Sequence, residues 1–364
     1  MQPLNYRKRL EQTKRLMEKE NVDLILLTPS VNFGYLFKGF LDMRERLICA
    51  AILLDEEPLL IAPEFEVERM QNSTNIKNVV GWKEDEDPYL KLKESLDFTP
   101  KTISLESTTR FENFLKFKEI FPNSDFLNAA TIFNKVRGRK TEAEIERIRR
   151  ASEFTIKAVK VILNEIETGM TEVEVQNKLI KTMSEISREP SWALIQFDEN
   201  SAIPHSSASS KRLREDSVIL IDSGTSCDRY FSDITITTTF SKPSSKFLEI
   251  YAIVQKANDK ALDASREGVP AEQVDFEARK IIDEKGYGKY FTHRLGHGLG
   301  LEIHEHPYIV KGNKQPLVAG NVHTDEPGIY LPGKFGIRIE DDLIVRKDKS
   351  ERIYEFDRIF WEMK

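Results

Sequence analysis

Five side chains in the last third of this chain have types that suit shared metal chemistry: Asp222, Asp233, His297, Glu326 and Glu340. They stand in IDSGTSCDRYFSDITIT, THRLGHGLGLEIHE, HTDEPGIY and GIRIEDD. Four carboxylates and one imidazole form a mostly hard donor set, which suits two divalent ions of the manganese or cobalt kind bridged by shared carboxylates. Zinc and iron also accept such ligands. Two ions about 3.5–4 Å apart activate a water and polarise a carbonyl, which is hydrolytic chemistry.

The neighbours of each residue state how it is to be positioned. SVILIDSG (217–224) reads as a buried strand ending in Asp222, and YFSDITITTTF (230–240) alternates with period two. Asp233, Thr235, Thr237 and Thr239 therefore share one face, and Ile234 and Ile236 the other. Two adjacent strands joined by a short loop bring both aspartates together. An aspartate at a strand end is ordinarily a turn former, but one inside a Thr/Ile strand needs a partner or a metal. All six histidines follow residue 200: His205, His293, His297, His304, His306 and His323. Gly296, Gly298 and Gly300 argue against a helix around His297 and for an extended segment that lets the backbone approach closely. Pro327 and Gly328 give Glu326 a turn. Arg338 and Glu340 share one strand face, with Ile337 and Ile339 on the other. Arg338 has two readings: a bidentate partner for a substrate carboxylate, or a structural ion pair with Glu340 or a neighbour. Cys227 reads as a small apolar loop residue, because the hard ligand set is complete without a thiolate.

The rest of the chain must build the scaffold. Its 364 residues suggest two domains. A net charge of −6 gives no electrostatic case for nucleic acid or an anionic membrane. Two distant cysteines, Cys49 and Cys227, argue against a disulfide framework. The N-terminus lacks the apolar core of a signal peptide, and no run of apolar residues is long enough to span a bilayer. A cytoplasmic protein is the expectation. Residues 5–20 read as an amphipathic helix, and 22–27, 47–54, 59–62, 78–80 and 103–106 as strands, while 83–101 reads as a surface helix with loops. These define an α/β domain over residues 1–132. A basic connector, FNKVRGRKTEAE, opens the second domain, 133–364. Thr141 with Glu144, and Thr171 with Glu174, form capping boxes. GMTEVEV (169–175) resembles GVPAEQV (268–274), each between two helical stretches, which is the period of a duplicated half-domain or a coincidence of two ordinary helix turns.

The motifs resemble those of the M24 metallopeptidases, the family of prolidase, aminopeptidase P, methionine aminopeptidase and creatinase. Its pattern is an Asp, a second Asp eleven residues on, a His in HxxGHGxGLxxHE, a Glu in an EPG turn and a Glu in GxRxED; each stands here in order over residues 141–364. The N-terminal half is similar to the family's creatinase-like domain through NFGYLFKG (32–39) and RLEQTKRLMEKENVDLILL. The resemblance implies a creatinase-like α/β domain followed by a pseudo-twofold "pita-bread" α+β catalytic domain. It implies metal ligation by Asp222, Asp233, His297, Glu326 and Glu340, with Asp233 and Glu340 bridging. Glu326 would also be the general base, His205 would sit near the scissile bond, and His293 and His304 would contact substrate. The implied activity is hydrolysis of small peptides with proline second, as a Xaa-Pro dipeptidase (prolidase). The alternative is aminopeptidase P action on longer peptides, and a remote one is a non-catalytic binding protein of the same fold. The family usually forms a homodimer. Ile236, Arg294 and Asp325 depart from the pattern and are expected to bear on the substrate pocket, whereas His306 and His323 are expected not to be ligands.

Overall fold

A computed structural model describes residues 1–204 and 206–357; His205 and the last seven residues lie outside the described set. The chain forms two compact units, Pro3–Arg137 and Met1–Gln2 with Gly138–Lys364.

The first unit is a sheet with helices. Its elements are α1 (Tyr6–Lys19), β1 (Leu24–Leu27), α2 (Val31–Phe37), β2 (Cys49–Leu53), β3 (Leu59–Pro63), α3 (Val67–Ser73), β4 (Asn78–Trp82), α4 (Pro88–Glu94), β5 (Thr102–Leu105), α5 (Phe111–Ile120), β6 (Asp125–Asn128) and α6 (Ala130–Gly138). The strand order is β4-β3-β2-β1-β5-β6. β1 lies antiparallel to β2 and parallel to β5. Continuous apolar runs became strands because β1, β2 and β3 are buried along their whole length. β6, DFLN, had no sequence signal: it is a short edge strand, mostly exposed. α4 forms inside the stretch read as surface helix and loop, started by the Asp87 side chain accepting from Tyr89 N and Leu90 N. The boundary expected after residue 132 falls inside α6. Its basic residues looked like a connector, but Ile132, Phe133 and Val136 are buried, so this stretch is an amphipathic helix.

The second unit carries the motifs. Helices α7 (Glu142–Glu165) and α8 (Glu172–Ser187) precede β7 (Trp192–Phe197), β8 (Val218–Gly224), the short β9 (Ser226–Cys227) and β10 (Tyr230–Phe231), and β11 (Ile234–Thr239). Helices α9 (Ser245–Ala264) and α10 (Ala271–Glu284) precede β12 (Gly296–Gly298), β13 (Glu305–Ile309), β14 (Val322–Asp325), β15 (Gly328–Leu331), β16 (Phe335–Arg338), β17 (Asp341–Val345) and β18 (Ser350–Arg352). The sheets run β11-β8-β7 and β13-β12-β14-β17-β18, with β15 and β16 a separate hairpin. Both capping boxes form. Among the described residues no helix is long and apolar enough to cross a membrane.

The two halves repeat at the level of individual backbone bonds. Gly169 and Gly268 both take positive φ, +95° and +85°. Gly169 N donates to Leu213 O and Leu213 N to Met170 O; Gly268 N donates to Leu317 O and Leu317 N to Val269 O. Glu172 N to Lys211 O is matched by Ala271 N to Gln315 O. Isolated bridges join Thr171 to Arg212 and Pro270 to Pro316. Two ordinary helix turns would not share this set of partners, so the weak sequence repeat is a structural duplication.

Candidate metal centre and active site

β8 and β11 pair antiparallel with Asp222 opposite Thr235, which brings Asp222 and Asp233 to one end of the sheet. The threonine face of β11 then serves as a seam for the segment 338–340. Thr237 Oγ1 donates to Arg338 O at 2.8 Å, Glu340 N donates to Thr235 O at 3.1 Å, and Thr235 Oγ1 donates to Glu340 Oε2 at 2.5 Å. Isoleucines on the other face, Ile234 and Ile236, pack into the core formed with α7 and α8.

His297 sits on β12, an extended segment, as the flanking glycines required. A Cβ at Gly296 would lie 2.0 Å from Thr324 O, and one at Gly298 2.3 Å from His306 O. Only glycine allows the neighbouring strands this close. The ring Nδ1 lies 3.1 Å from Gly298 O, which suits an N–H there and leaves Nε2 as the lone-pair atom. Nε2 faces Glu326 Oε1 at 3.4 Å and Asp233 Oδ2 at 3.6 Å. Burial, then the neighbouring His304, depresses its pKa to about 3, so the ring is a neutral donor of electrons at ordinary pH.

Ligand atoms of Asp233, His297 and Glu340 all lie within 4.8 Å of one another. Glu326 joins them through His297, and its Oε1 accepts from Thr324 Oγ1 at 3.2 Å. Asp222 is held by Arg338, whose Nη2 donates to Oδ2 at 2.6 Å. The other oxygen, Oδ1, is buried and has no hydrogen-bond partner among the described residues. Burial, and next the charge of Glu340, pushes the Asp233 pKa well up; burial and Glu326 do the same to Glu340. Burial raises Glu326 to about 7, partly offset by Arg338. Ionised, these carboxylates would repel one another in a poorly solvated cluster. An orphaned Asp222 oxygen and an unbalanced cluster of buried carboxylates around a neutral imidazole are what divalent cations would complete, so these residues fit the metal pair that the sequence implies.

The site opens into a cavity of about 610 Å³. Besides the five candidate ligands, His293, His304 and Arg338 line it, as does an apolar wall of Trp192, Leu194, Pro204 and Ile303. His293 Nε2 pairs with Tyr330 OH at 2.8 Å, and the His293 ring lies 3.8 Å from Glu326. The ring of His304 lies 4.2 Å from that of His297. Arg338 commits its donors to Asp222, to Thr235 Oγ1 (3.0 Å) and to Tyr330 OH (3.0 Å), and its Nε is 3.9 Å from Glu340. His205 lies outside the described residues. Of the three departures expected to bear on the pocket, Arg294 lines the cavity, stacked over Tyr308 at 4.5 Å. The other two expectations are corrected: Ile236 is a core residue, and Asp325 is buried in β14 opposite Asp341, off the described cavity wall. His323 is a satisfied core histidine between Ser265 Oγ and Thr324 O, and the His306 ring lies tilted against that of Tyr308, centroids 4.6 Å apart.

Three polar residues of the site escaped sequence reasoning in these roles: Tyr330, Thr324 and Asp342, whose Oδ2 accepts from Asp233 N at 3.3 Å and from Ser152 Oγ at 3.1 Å. The acidic doublet after Glu340 was a signal for Asp342. Tyr330 had none, because the β15–β16 register alone sets it beside Arg338.

The chain belongs to metallopeptidase family M24: that family's profile matches residues 146–347, and the creatinase/prolidase N-terminal domain profile matches residues 9–138. It is 34% identical over 349 residues to an uncharacterized peptidase of Staphylococcus aureus strain USA300, covering 94% of this chain and 97% of that protein. Among solved structures it is similar to a prolidase from Thermococcus sibiricus, at 33% identity and a TM-score of 0.90, covering 98% of this chain and 99% of the other. It is also similar to an X-Pro aminopeptidase from Thermotoga maritima, at 32% identity and a TM-score of 0.84, covering 95% and 98%. The fold is therefore a creatinase-type N-terminal domain with an M24 catalytic domain, and the chain is a peptidase of that family.

Proposed function

We propose that the chain is a metal-dependent Xaa-Pro dipeptidase, in which Asp222, Asp233, His297, Glu326 and Glu340 would hold two divalent ions. The observation that carries this reading is the buried cluster of Asp233, His297 and Glu340, with Glu326 beside His297 and an unpartnered oxygen on Asp222. Manganese or cobalt suits the oxygen-rich set best, ahead of zinc or iron. Bound there, the ions supply an activated water and polarise the substrate carbonyl.

The remaining work falls to side chains of this chain. Glu326, whose carboxylate faces both His293 and His297 at the cavity wall, is placed to hold and pass on a proton at the scissile bond. His293 is fixed beside Glu326, its Nε2 paired with Tyr330 OH and its Nδ1 2.7 Å from Arg294 O, so it lines the substrate site with its ring rather than with a free N–H. His304 adds a further imidazole to the cavity lining, and the role of His205 rests on the family resemblance alone. Arg338 acts by fixing Asp222, the structural one of its two sequence readings, because each of its three nitrogens already donates within the site. The apolar wall of Trp192, Leu194 and Ile303 excludes water from the bond being cut. A homodimer and a cytoplasmic location belong to the same reading.

Aminopeptidase P activity is the alternative, supported by the likeness to the Thermotoga enzyme. The test is a substrate panel with added manganese or cobalt. Hydrolysis of Ala-Pro and Leu-Pro with little cleavage of Arg-Pro-Pro supports the dipeptidase; the reverse order supports the aminopeptidase. No turnover of any of the three, together with no bound metal under replete conditions, leaves the non-catalytic reading.

A further inference from the structure

We infer that Glu172 is a positioning residue for the peptidase site: its carboxylate clasps the two stems, at Phe197–Asn200 and at Ser209, of the loop that brings Pro204 to the cavity lining. This rests on the Xaa-Pro reading for its effect on catalysis, but not for the clasp itself. Glu172 is the first residue of α8 and is fully buried. Its Oε1 accepts from Phe197 N at 2.6 Å and from Asn200 Nδ2 at 2.9 Å. Its Oε2 accepts from Ser209 N at 2.8 Å and Ser209 Oγ at 2.6 Å. The donors come from the end of β7 and from the far stem of the loop, so one carboxylate closes both stems.

Inside the clasp the loop is aimed at the site. Gln196 Nε2 donates to Ile203 O at 2.8 Å and to Ser206 O at 3.0 Å, on either side of Pro204, which lines the cavity. Ser201 Oγ accepts from Gly336 N at 2.8 Å, tying the same loop to β16, two residues before Arg338. His205 follows Pro204 in the chain.

The duplication separates this role from an ordinary fold-stabilising one. The backbone bond of Glu172 N to Lys211 O recurs as Ala271 N to Gln315 O, so Ala271 takes the equivalent place in the other half. The same turn therefore folds with a methyl group there. Capping of α8 is not the reason either, since Thr171 and Glu174 already form its capping box. In the half with the carboxylate, the clasped loop carries Pro204 into the cavity lining.

The test is Glu172→Gln in the full-length, metal-loaded protein, which keeps the shape but turns an acceptor into an amide N–H facing donors. Two readouts are taken: the rate of tryptic nicking after Lys211 and Arg212, and the steady-state parameters on Leu-Pro at matched metal content. Losing a charge-assisted hydrogen bond predicts nicking faster by about tenfold and kcat lower by about tenfold, with KM changed less. Unchanged nicking overturns the clasp. Faster nicking with wild-type kcat and KM shows a clasp that does not position the site, and overturns the inference. If the variant does not fold, Ser209→Ala removes one donor and should give the same ordering at about threefold. If the wild-type protein cleaves no Xaa-Pro peptide, the functional reading falls, and the nicking result still decides whether Glu172 holds the loop.

Discussion

Replacing Glu326 by Gln should stabilise the metal-free protein at alkaline pH and destabilise the metal-loaded one. Burial lifts the Glu326 carboxyl from its ordinary 4.5 to about 7, and its side chain is only 15% exposed. A folded-state pKa above the unfolded value means that the fold binds the proton more tightly than the unfolded chain does. The stability this contributes is complete below pH 4.5 and is lost as pH rises through about 7. The shift of about 2.5 units corresponds to about 3 kcal/mol. Gln is neutral at every pH and keeps the shape, so the variant avoids that loss. The two proteins should unfold alike near pH 5. At pH 8.5 without metal the variant should be more stable by about 3 kcal/mol, or roughly 6–12 °C in Tm for a domain of this size. His297 and His323, depressed to about 3 and 4 by burial, contribute in the opposite sense below pH 6.5, but they are common to both proteins and cancel. The assay is thermal unfolding after chelation, from pH 5 to 9, repeated with manganese, where the lost ligand should reverse the order. A metal-free variant no more stable than wild type at pH 8.5 would refute the claim that the cluster is electrostatically unbalanced.

Arg338→Met removes the charge that, among the described residues, is set against Asp222 Oδ2; it should cost about 3–5 kcal/mol in urea unfolding of the metal-free protein, much of it recovered on loading with manganese. Arg338→Lys should recover little of this, because an ammonium cannot serve Asp222, Thr235 and Tyr330 together. Thr235→Val strips one donor from Glu340 and one acceptor from Arg338; the expected loss is about 1–3 kcal/mol, with a matching fall in manganese affinity read by titration of the metal-free protein.

How much of this was legible beforehand depended on whether a residue's role is local. That Asp233, His297 and Glu340 come together was readable because a charge within a Thr/Ile strand, and a histidine among glycines, each state a local conflict that their shared cluster answers. The strand faces followed from period two, and Thr235 duly faces Glu340. Roles fixed by non-local pairing were not readable: Tyr330 depends on hairpin register, β6 on an edge position with little burial, and the true end of the first unit on α6 burying Ile132, Phe133 and Val136. Ile236 and Asp325 were misjudged because a departure from a family pattern says that a position differs, not which way its side chain points.

The close approach of backbone around His297 also governs how this protein tolerates change. Gly296 and Gly298 have neighbouring carbonyl oxygens where a methyl group would go. A saturation scan would therefore report three successive intolerant positions, 296 to 298, of which one, His297, belongs to the proposed metal site. The flanking two would be lost through misfolding of β12 rather than through inactivity of a folded enzyme. Abundance measured beside activity tells these apart, and without it a map of mutational sensitivity would draw the active site one residue too wide on each side.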